Sequence, residues 1–308
     1  LLANAADIVA SLGLTRDDVT LCIPPLHGAY GLSVVLSHAL AGATVIIEPR
    51  TAFPATLLQS AVNVRATCIS AVPTTWRLLL RHVPFALPSL RMATVAGGAL
   101  SVENQLTLRH ALRPAGLYVM YGQTEASARL TCLAPEEFDA AQTSCGRPLS
   151  HVELQIAADG EVLARGPNLM DGYLDDEGKT QEALRDGWLH TGDLGRLDDQ
   201  GRLHLSGRKK LMLKVGEMRV APLVIESVLS AIPGVFEACV VGAPDVLLGE
   251  VPVAFFTGSV EERAVLDVCA LQLAPWERPR RAVKVDVLPT LPGGKIDVAG
   301  LQQAARIV

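Results

Sequence analysis

Over residues 1–120, short apolar runs recur at the interval that a parallel sheet demands. "VTLCIP" (19–24), "ATVIIEP" (43–49), "ATCISAVP" (66–73), "RMATVAGGA" (91–99) and "GLYVM" (116–120) are strand-length and carry almost no polar alternation. Helix-length segments separate them. "YGLSVVLSHALAG" (30–42) closes on glycine, "FPATLLQSAV" (53–62) follows, another opens at "TTWRLLLRH" (74–82), and the next starts at Ser101, a suitable N-cap. "LLANAADIVASLGL" at the start reads as an amphipathic helix. Strands this apolar, separated by helices, predict an α/β unit: a parallel sheet covered on both faces. Ligands of such sheets bind outside the carboxyl ends of the strands. Three loops fall there: "PPLHG" (24–28), "AGGA" (96–99) and "YGQTE" (121–125).

The pattern then changes. "HVELQIA", turn "ADG" and "EVLARG" (151–166), then "DLGRL", turn "DDQG" and "RLHLSG" (193–207), are short runs joined by hairpin turns. After "GRKK" (207–210) it shifts again. "APLVIESVLSAIPG" (221–234) is a helix with proline near its start and a Pro-Gly stop. "FEACVVG", "VPVAFFTG" and "AVKVDV" read as strands, with the helix "VEERAVLDVCALQL" among them. The predicted organisation is an α/β part of a large domain over residues 1–140, a small antiparallel β module over 141–209, and a separate α+β domain over 210–308.

Composition narrows the function classes. At 308 residues, two domains are the prior. Aromatic residues make up only 4%, the net charge is −5, and no basic run stands out beyond "RPRRAVK" (278–284), so no nucleic-acid partner is expected. The longest apolar stretch, "VVLSHALAGATVII" (34–47), is too short to span a bilayer, so no membrane span is expected. The six cysteines are scattered without a CxxC pair, which suits reduced thiols in the cytoplasm. No signal peptide is legible, and a chain that opens inside a helix without Met is expected to be cut from something longer.

Four motifs stand in order: "YGQTEAS" (121–127), "GWLHTGDLG" (187–195), "SGRKKLMLKVGE" (206–217) and "LPTLPGGKID" (288–297). Together they resemble the adenylate-forming superfamily of acyl-CoA synthetases, peptide-synthetase adenylation domains and luciferases, and the resemblance covers essentially the whole chain. It implies ATP-dependent activation of a carboxylic acid to an acyl-adenylate with release of pyrophosphate. Transfer to a thiol, that of CoA or of the phosphopantetheine of an acyl carrier protein, would follow. The cofactors implied are ATP/AMP, Mg2+ and CoA or phosphopantetheine.

The same resemblance assigns roles. Glu125 is the Mg2+ ligand, in keeping with the preference of that ion for one or two carboxylates plus phosphate oxygens. Thr124 offers a hydroxyl to phosphate, Tyr121 a ring face to adenine, and Gly122 and Gln123 complete the loop. Gly97, Gly98 and Ala99 pass adenine and the acyl chain, and His27 gates the acyl pocket. Asp193 accepts from the ribose hydroxyls, joined by Arg208 across the "DDQG" hairpin. Lys295 is the catalytic lysine, Lys210 the hinge, and Lys214 and Gly216 serve the second half-reaction. In isolation each has an ordinary reading: a strand-end turn, a surface ion pair, a loop lysine in water.

Two departures stand out. The Gly/Ser/Thr-rich phosphate loop that precedes the "LLAN" helix in this superfamily is not in the chain, so phosphate binding is expected to be incomplete. The family's "GGEN" stretch reads "GEMR" (216–219), which puts the thiol-transfer step in question. "HGAYGLSVVLSHAL" contains no acid to hold an α-amino group, so a fatty, aryl or other plain carboxylic acid is expected rather than an amino acid. Two alternatives stay open: a non-catalytic nucleotide- or acyl-binding protein that keeps the fold, and a luciferase-like oxygenase.

Overall fold

The structure is a computed structural model and describes residues 1–48, 54–84, 86–291 and 296–306. It divides into two compact units, residues 1–191 with 195–205 and residues 192–194 with 206–308.

The first unit opens with α1 (Leu2–Leu12), closed by Gly13 in the left-handed conformation at φ +57°. Then β1 (Val19–Cys22), α2 (Ala29–Leu40), β2 (Thr44–Ile47), α3 (Pro54–Asn63), β3 (Cys68–Ala71), α4 (Pro73–Leu80), β4 (Met92–Val95), α5 (Val102–Ala111) and β5 (Gly116–Tyr121) alternate as the apolar runs predict. Ser101 acts where expected, its Oγ accepting from Asn104 N at the start of α5, while Pro73, which ends the preceding apolar run in the sequence, opens α4 one residue ahead of the expected start. The sheet order is β2-β1-β3-β4-β5, all parallel.

Beyond β5 the sheet departs from the all-parallel expectation. β6 (Thr131–Leu133) runs antiparallel to β5, and β7 (Arg147–Pro148) antiparallel to β6. The segment "YGQTEAS" is therefore the connection of a β5–β6 hairpin, with Tyr121 paired to Thr131. Alternate residues of the strands feed two cores. Leu21, Ile69, Ala93 and Leu117 pack on one face, and Cys68, Met92 and Met120 on the other.

The second face is shared. The antiparallel module consists of β8 (Glu153–Ile156), β9 (Glu161–Arg165), α6 (Glu177–Ala183), β10 (Leu184–Arg185), β11 (Trp188–Leu197) and β12 (Leu203–Arg208). Val162, Leu189 and Leu203 of this module join Ile8 and Leu12 of α1 in one core with Met92 and Met120. Each such buried side chain contributes about 1.5–3 kcal/mol.

The second unit is α+β, as expected. A hairpin of β13 (Leu213–Val215) and β14 (Met218–Val220) leads to α7 (Pro222–Ser230), then β15 (Val235–Asp245), β16 (Gly249–Gly258), α8 (Glu262–Gln272), β17 (Arg281–Lys284) and α9 (Val298–Ala305). The sheet order is β14-β13-β16-β15, with β17 parallel to β16. Strand alternation again serves two faces: Val240, Ala254 and Phe256 on one, Cys239, Val253 and Phe255 on the other. The short α9 carries little periodic signal. It is started by Asp297, whose carboxylate accepts from Gly300 N. Among the described residues no helix is long and apolar enough to cross a membrane.

Candidate functional site

The β5–β6 connection is held by its own backbone and by distant residues. Gln123 O accepts from both Ala126 N and Ala128 N, and Leu130 N donates to Tyr121 O at 2.8 Å. Residues Thr124–Ala126 form one 3-10 turn. Ser127 and Ala128 then take positive φ, +54° and +93°. A left-handed conformation costs a non-glycine residue about 1–2 kcal/mol, so neighbouring contacts must hold it. Gly122 is required by space: a Cβ there would lie 1.9 Å from Ala128 O.

The holding contacts come from residues 166–173, which lay outside the sequence motifs. Met170 N donates to Glu125 O at 2.8 Å. Asn168, only 1% exposed, donates Nδ2 to Ala126 O at 2.9 Å, and its own carbonyl accepts from Ser127 Oγ at 2.6 Å. Tyr173 OH donates to Glu125 Oε1 at 2.8 Å. Partial burial, then the Glu125 carboxylate beside it, pushes the Tyr173 phenol up to about 12, so it is a donor throughout the neutral range.

Arg129 anchors the loop from behind. Its guanidinium is buried 4.7 Å above the Tyr30 ring, and one of its NH groups meets Met120 Sδ at 2.7 Å. Its backbone is clasped by Asn4, which donates Nδ2 to Arg129 O at 2.6 Å and accepts from Arg129 N at 3.3 Å. Burial lowers the pKa of this guanidinium and raises that of the Tyr30 phenol. Tyr30 OH lies 2.7 Å from Thr94 Oγ1, which donates to Ser70 Oγ at 3.0 Å. One buried polar chain thus ties together the carboxyl ends of β3, β4 and β5 and the start of α2. The only sequence sign of it was an arginine in an apolar run, "ARLTCLAP".

Two of the three strand-end loops, those of His27 and Thr124, line one cleft. His27, exposed, and Gly28 line a cleft of about 170 Å³ with Asn4, Ser33, Thr124 and Ser127. Gly97, Gly98 and Ala99 are exposed beyond buried Val95 and Ala96. Gly97 has φ +86°, and a methyl on Gly98 would touch only Pro73 at 3.5 Å. Tyr121 is buried, packed with the Met120 core. Thr124 is exposed and Glu125 half-buried.

The other motif residues belong to the second unit. Asp193 on β11 and Arg208 on β12 are paired, Nε to Oδ1 at 2.7 Å. The acid is nearly buried and the guanidinium half exposed. Lys210 is exposed in a single 3-10 turn, Lys209–Leu211. Lys214 is exposed on β13, its backbone N donating to Glu250 Oε2 at 2.9 Å. Gly216, φ +61°, takes the first position of the β13–β14 turn. A two-residue turn of this kind needs a left-handed residue at that position only, so Glu217 at the second does not strain it. Lys295 lies outside the described residues.

Among the described residues no group of three or more His, Cys, Asp or Glu side chains could hold a metal. Glu125 offers a single carboxylate, with Thr124 Oγ1 next to it. This donor set fits Mg2+ arriving with a polyphosphate rather than an ion caged by protein alone.

A family model described as "AMP-binding enzyme" matches residues 1–174, and one described as "AMP-binding enzyme C-terminal domain" matches residues 224–295. The chain belongs to the AMP-binding enzyme family. It is 38% identical to 3-[(3aS,4S,7aS)-7a-methyl-1,5-dioxo-octahydro-1H-inden-4-yl]propanoyl:CoA ligase of Mycobacterium tuberculosis, over 98% of this chain and 61% of that protein. Among solved structures it is similar to o-succinylbenzoate CoA synthetase from Bacillus subtilis in complex with the acyl-adenylate intermediate (TM-score 0.86, 31% identity, 97% of this chain and 63% of that one). The same enzyme in complex with ATP and magnesium ion gives a TM-score of 0.85 at 31% identity, over 96% of this chain and 64% of that one. The chain spans about three-fifths of the length of the curated relatives it matches.

Proposed function

We propose that the protein is an AMP-forming acid–thiol ligase. In the first half-reaction a substrate carboxylate oxygen attacks the α-phosphorus of ATP and the bond to pyrophosphate breaks. In the second, a thiol sulphur attacks the acyl carbon and AMP departs with its oxygen. The observation that carries this reading is the preserved set of charged groups within the family frame: Glu125 on a clamped strand-end turn, and Asp193 paired with Arg208 at 2.7 Å. Mg2+ supplies charge neutralisation on the polyphosphate, and Glu125 would hold it. Thr124 would donate to phosphate, Gln123 and Gly122 would shape the nucleotide side of the loop, and Tyr121 would border adenine. Asp193 would accept from the ribose hydroxyls with Arg208 beside it. Lys295 would offset the charge that builds between carboxylate and α-phosphate. Lys210 would be the pivot of the second unit, a role supported by its exposed single turn between β12 and β13. Lys214 and Gly216 would then serve thiol transfer.

The acceptor we propose is CoA, supported by the relatives named as CoA ligases. The acid we propose is a bulky, ring-bearing carboxylic acid, since the relatives' names specify a methyl-dioxo-octahydroindenyl propanoyl group and 2-succinylbenzoate. The Gly97–Gly98–Ala99 loop and His27 would face it. A cytoplasmic setting is supported by Cys22, Cys68, Cys239 and Cys269, which are buried free thiols.

Acid-dependent ATP–pyrophosphate exchange and CoA-thioester formation, run over ring-bearing, fatty and amino acids, test the reading. Exchange with ring-bearing acids is expected of a protein that carries the phosphate loop, and little exchange of residues 1–308 alone. Arg208→Ala should raise the KM for ATP by about 10- to 100-fold, the worth of one charged hydrogen bond. ATP binding without exchange for any acid would instead identify a non-catalytic binding protein.

A further inference from the structure

A glutamate at a strand end has three free torsions, and a carboxylate that must meet a cation gains from having them fixed. Among the described residues, the side chain of Glu125 has one hydrogen-bond partner, Tyr173, whose hydroxyl reaches Oε1 at 2.8 Å. Forty-eight positions separate the two residues. The approach of Tyr173 is built rather than incidental. Its backbone N donates to Thr180 Oγ1 at 2.8 Å, and Thr180 Oγ1 in turn donates to Asp176 O at 2.9 Å. Gly172, immediately before it, lies so close to Thr180 that a Cβ would fall 2.8 Å from Thr180 Cγ2. Upstream, Met170 N and Asn168 Nδ2 fasten the same segment to the backbone of Glu125 and Ala126. The start of the segment, through Asn168 and Met170, and Tyr173 itself are therefore held against the 124–127 turn, and Thr180 braces the backbone of Tyr173 from the far side.

We propose that Tyr173 is a positioning residue for Glu125: its hydroxyl occupies Oε1 and leaves Oε2 presented to the divalent cation that accompanies ATP. This rests on the reading of Glu125 as the cation-facing carboxylate. A hydroxyl donor, unlike an ammonium or a guanidinium, orients the carboxylate without cancelling its charge. Asn168 sets the turn and Tyr173 sets the side chain.

The test is equilibrium binding of a non-hydrolysable ATP analogue to the protein, with and without Mg2+, for wild type, Tyr173→Phe and Glu125→Gln. Tyr173→Phe keeps the ring and should fold with an unchanged Tm. It should bind the analogue normally without Mg2+ but lose about five- to tenfold of the Mg2+-dependent gain in affinity, the worth of one hydrogen bond to a charged group at a half-exposed site. Glu125→Gln should abolish that gain. A Tyr173→Phe protein with the full gain, beside a Glu125→Gln protein that has lost it, overturns the positioning role alone. A larger gain in Tyr173→Phe also overturns it, since the phenol would then compete with the cation. If Glu125→Gln keeps the gain, or wild type shows none, the underlying reading of Glu125 fails, and the inference with it.

Discussion

Gly98→Ala separates ligand approach from fold. In the free protein a methyl on Gly98 would meet only Pro73, Cγ at 3.5 Å and Cδ at 3.9 Å, which is ordinary contact, and Gly98 lacks the positive φ of its neighbour. The folded state should accept it. The unfolded chain loses freedom, so stability should hold or rise by about 0.4–1 kcal/mol. The bound state differs if adenine or the acyl group packs against the Cα of Gly98. One methyl then forces the ligand back at a cost of about 1–3 kcal/mol, a rise in KM of roughly 5- to 150-fold for ATP or acid. Gly97→Ala is the control: at φ +86° it should lose about 1–2 kcal/mol of stability with or without ligand. The measurements are thermal or urea unfolding and steady-state KM for each substrate. A destabilised Gly98→Ala protein would show the residue to be structural. A stable one with both KM values unchanged would remove the loop from the binding site.

Gly122→Ala should fail in the opposite manner: its methyl would fall 1.9 Å from the Ala128 carbonyl oxygen, so the β5–β6 connection must open. We expect a loss of at least about 1–3 kcal/mol on unfolding together with nucleotide binding, and wild-type behaviour in both would show the turn to be more yielding than its geometry. Asp18→Asn tests a contact remote from the loops. Burial alone would raise the Asp18 carboxyl, but the bond from Arg91 at 2.6 Å, the Thr15 amide and the Thr67 hydroxyl outweigh it and hold it well below the carboxylate range. A depressed folded value stabilises the fold above the unfolded pKa of about 3.9 and is lost as pH falls through the folded one. Asp18→Asn should therefore cost about 1–3 kcal/mol at pH 7, less than a fully buried pair because Arg91 is 40% exposed. The gap to wild type should narrow at about pH 3 in urea titrations, and a gap that widens there would refute the assignment.

Local signals were enough for much of this chain. Short apolar runs separated by helix-length segments specified the parallel strands, and Ser101 and Pro222 marked helix starts where side chain or ring geometry decides the backbone. The rule that ligands gather at strand carboxyl ends located the "PPLHG", "AGGA" and "YGQTE" loops. What periodicity could not carry was long-range. The reversal into β6 depends on a turn closed by its own backbone and by residues 168–173, and nothing in a window around Tyr121 encodes those partners. The clasp of Arg129 by Asn4 spans 125 positions, and Tyr30 meets Thr94 across 64. The sequence determined which segments are strands, which loops stand at their carboxyl ends and which residue types carry charge, because those follow from local sterics and burial patterns. Only the tertiary structure decided that Glu125 is aimed by Tyr173 and that a buried cation underlies the loop. Those contacts exist only after two cores have closed and brought distant side chains within hydrogen-bonding reach.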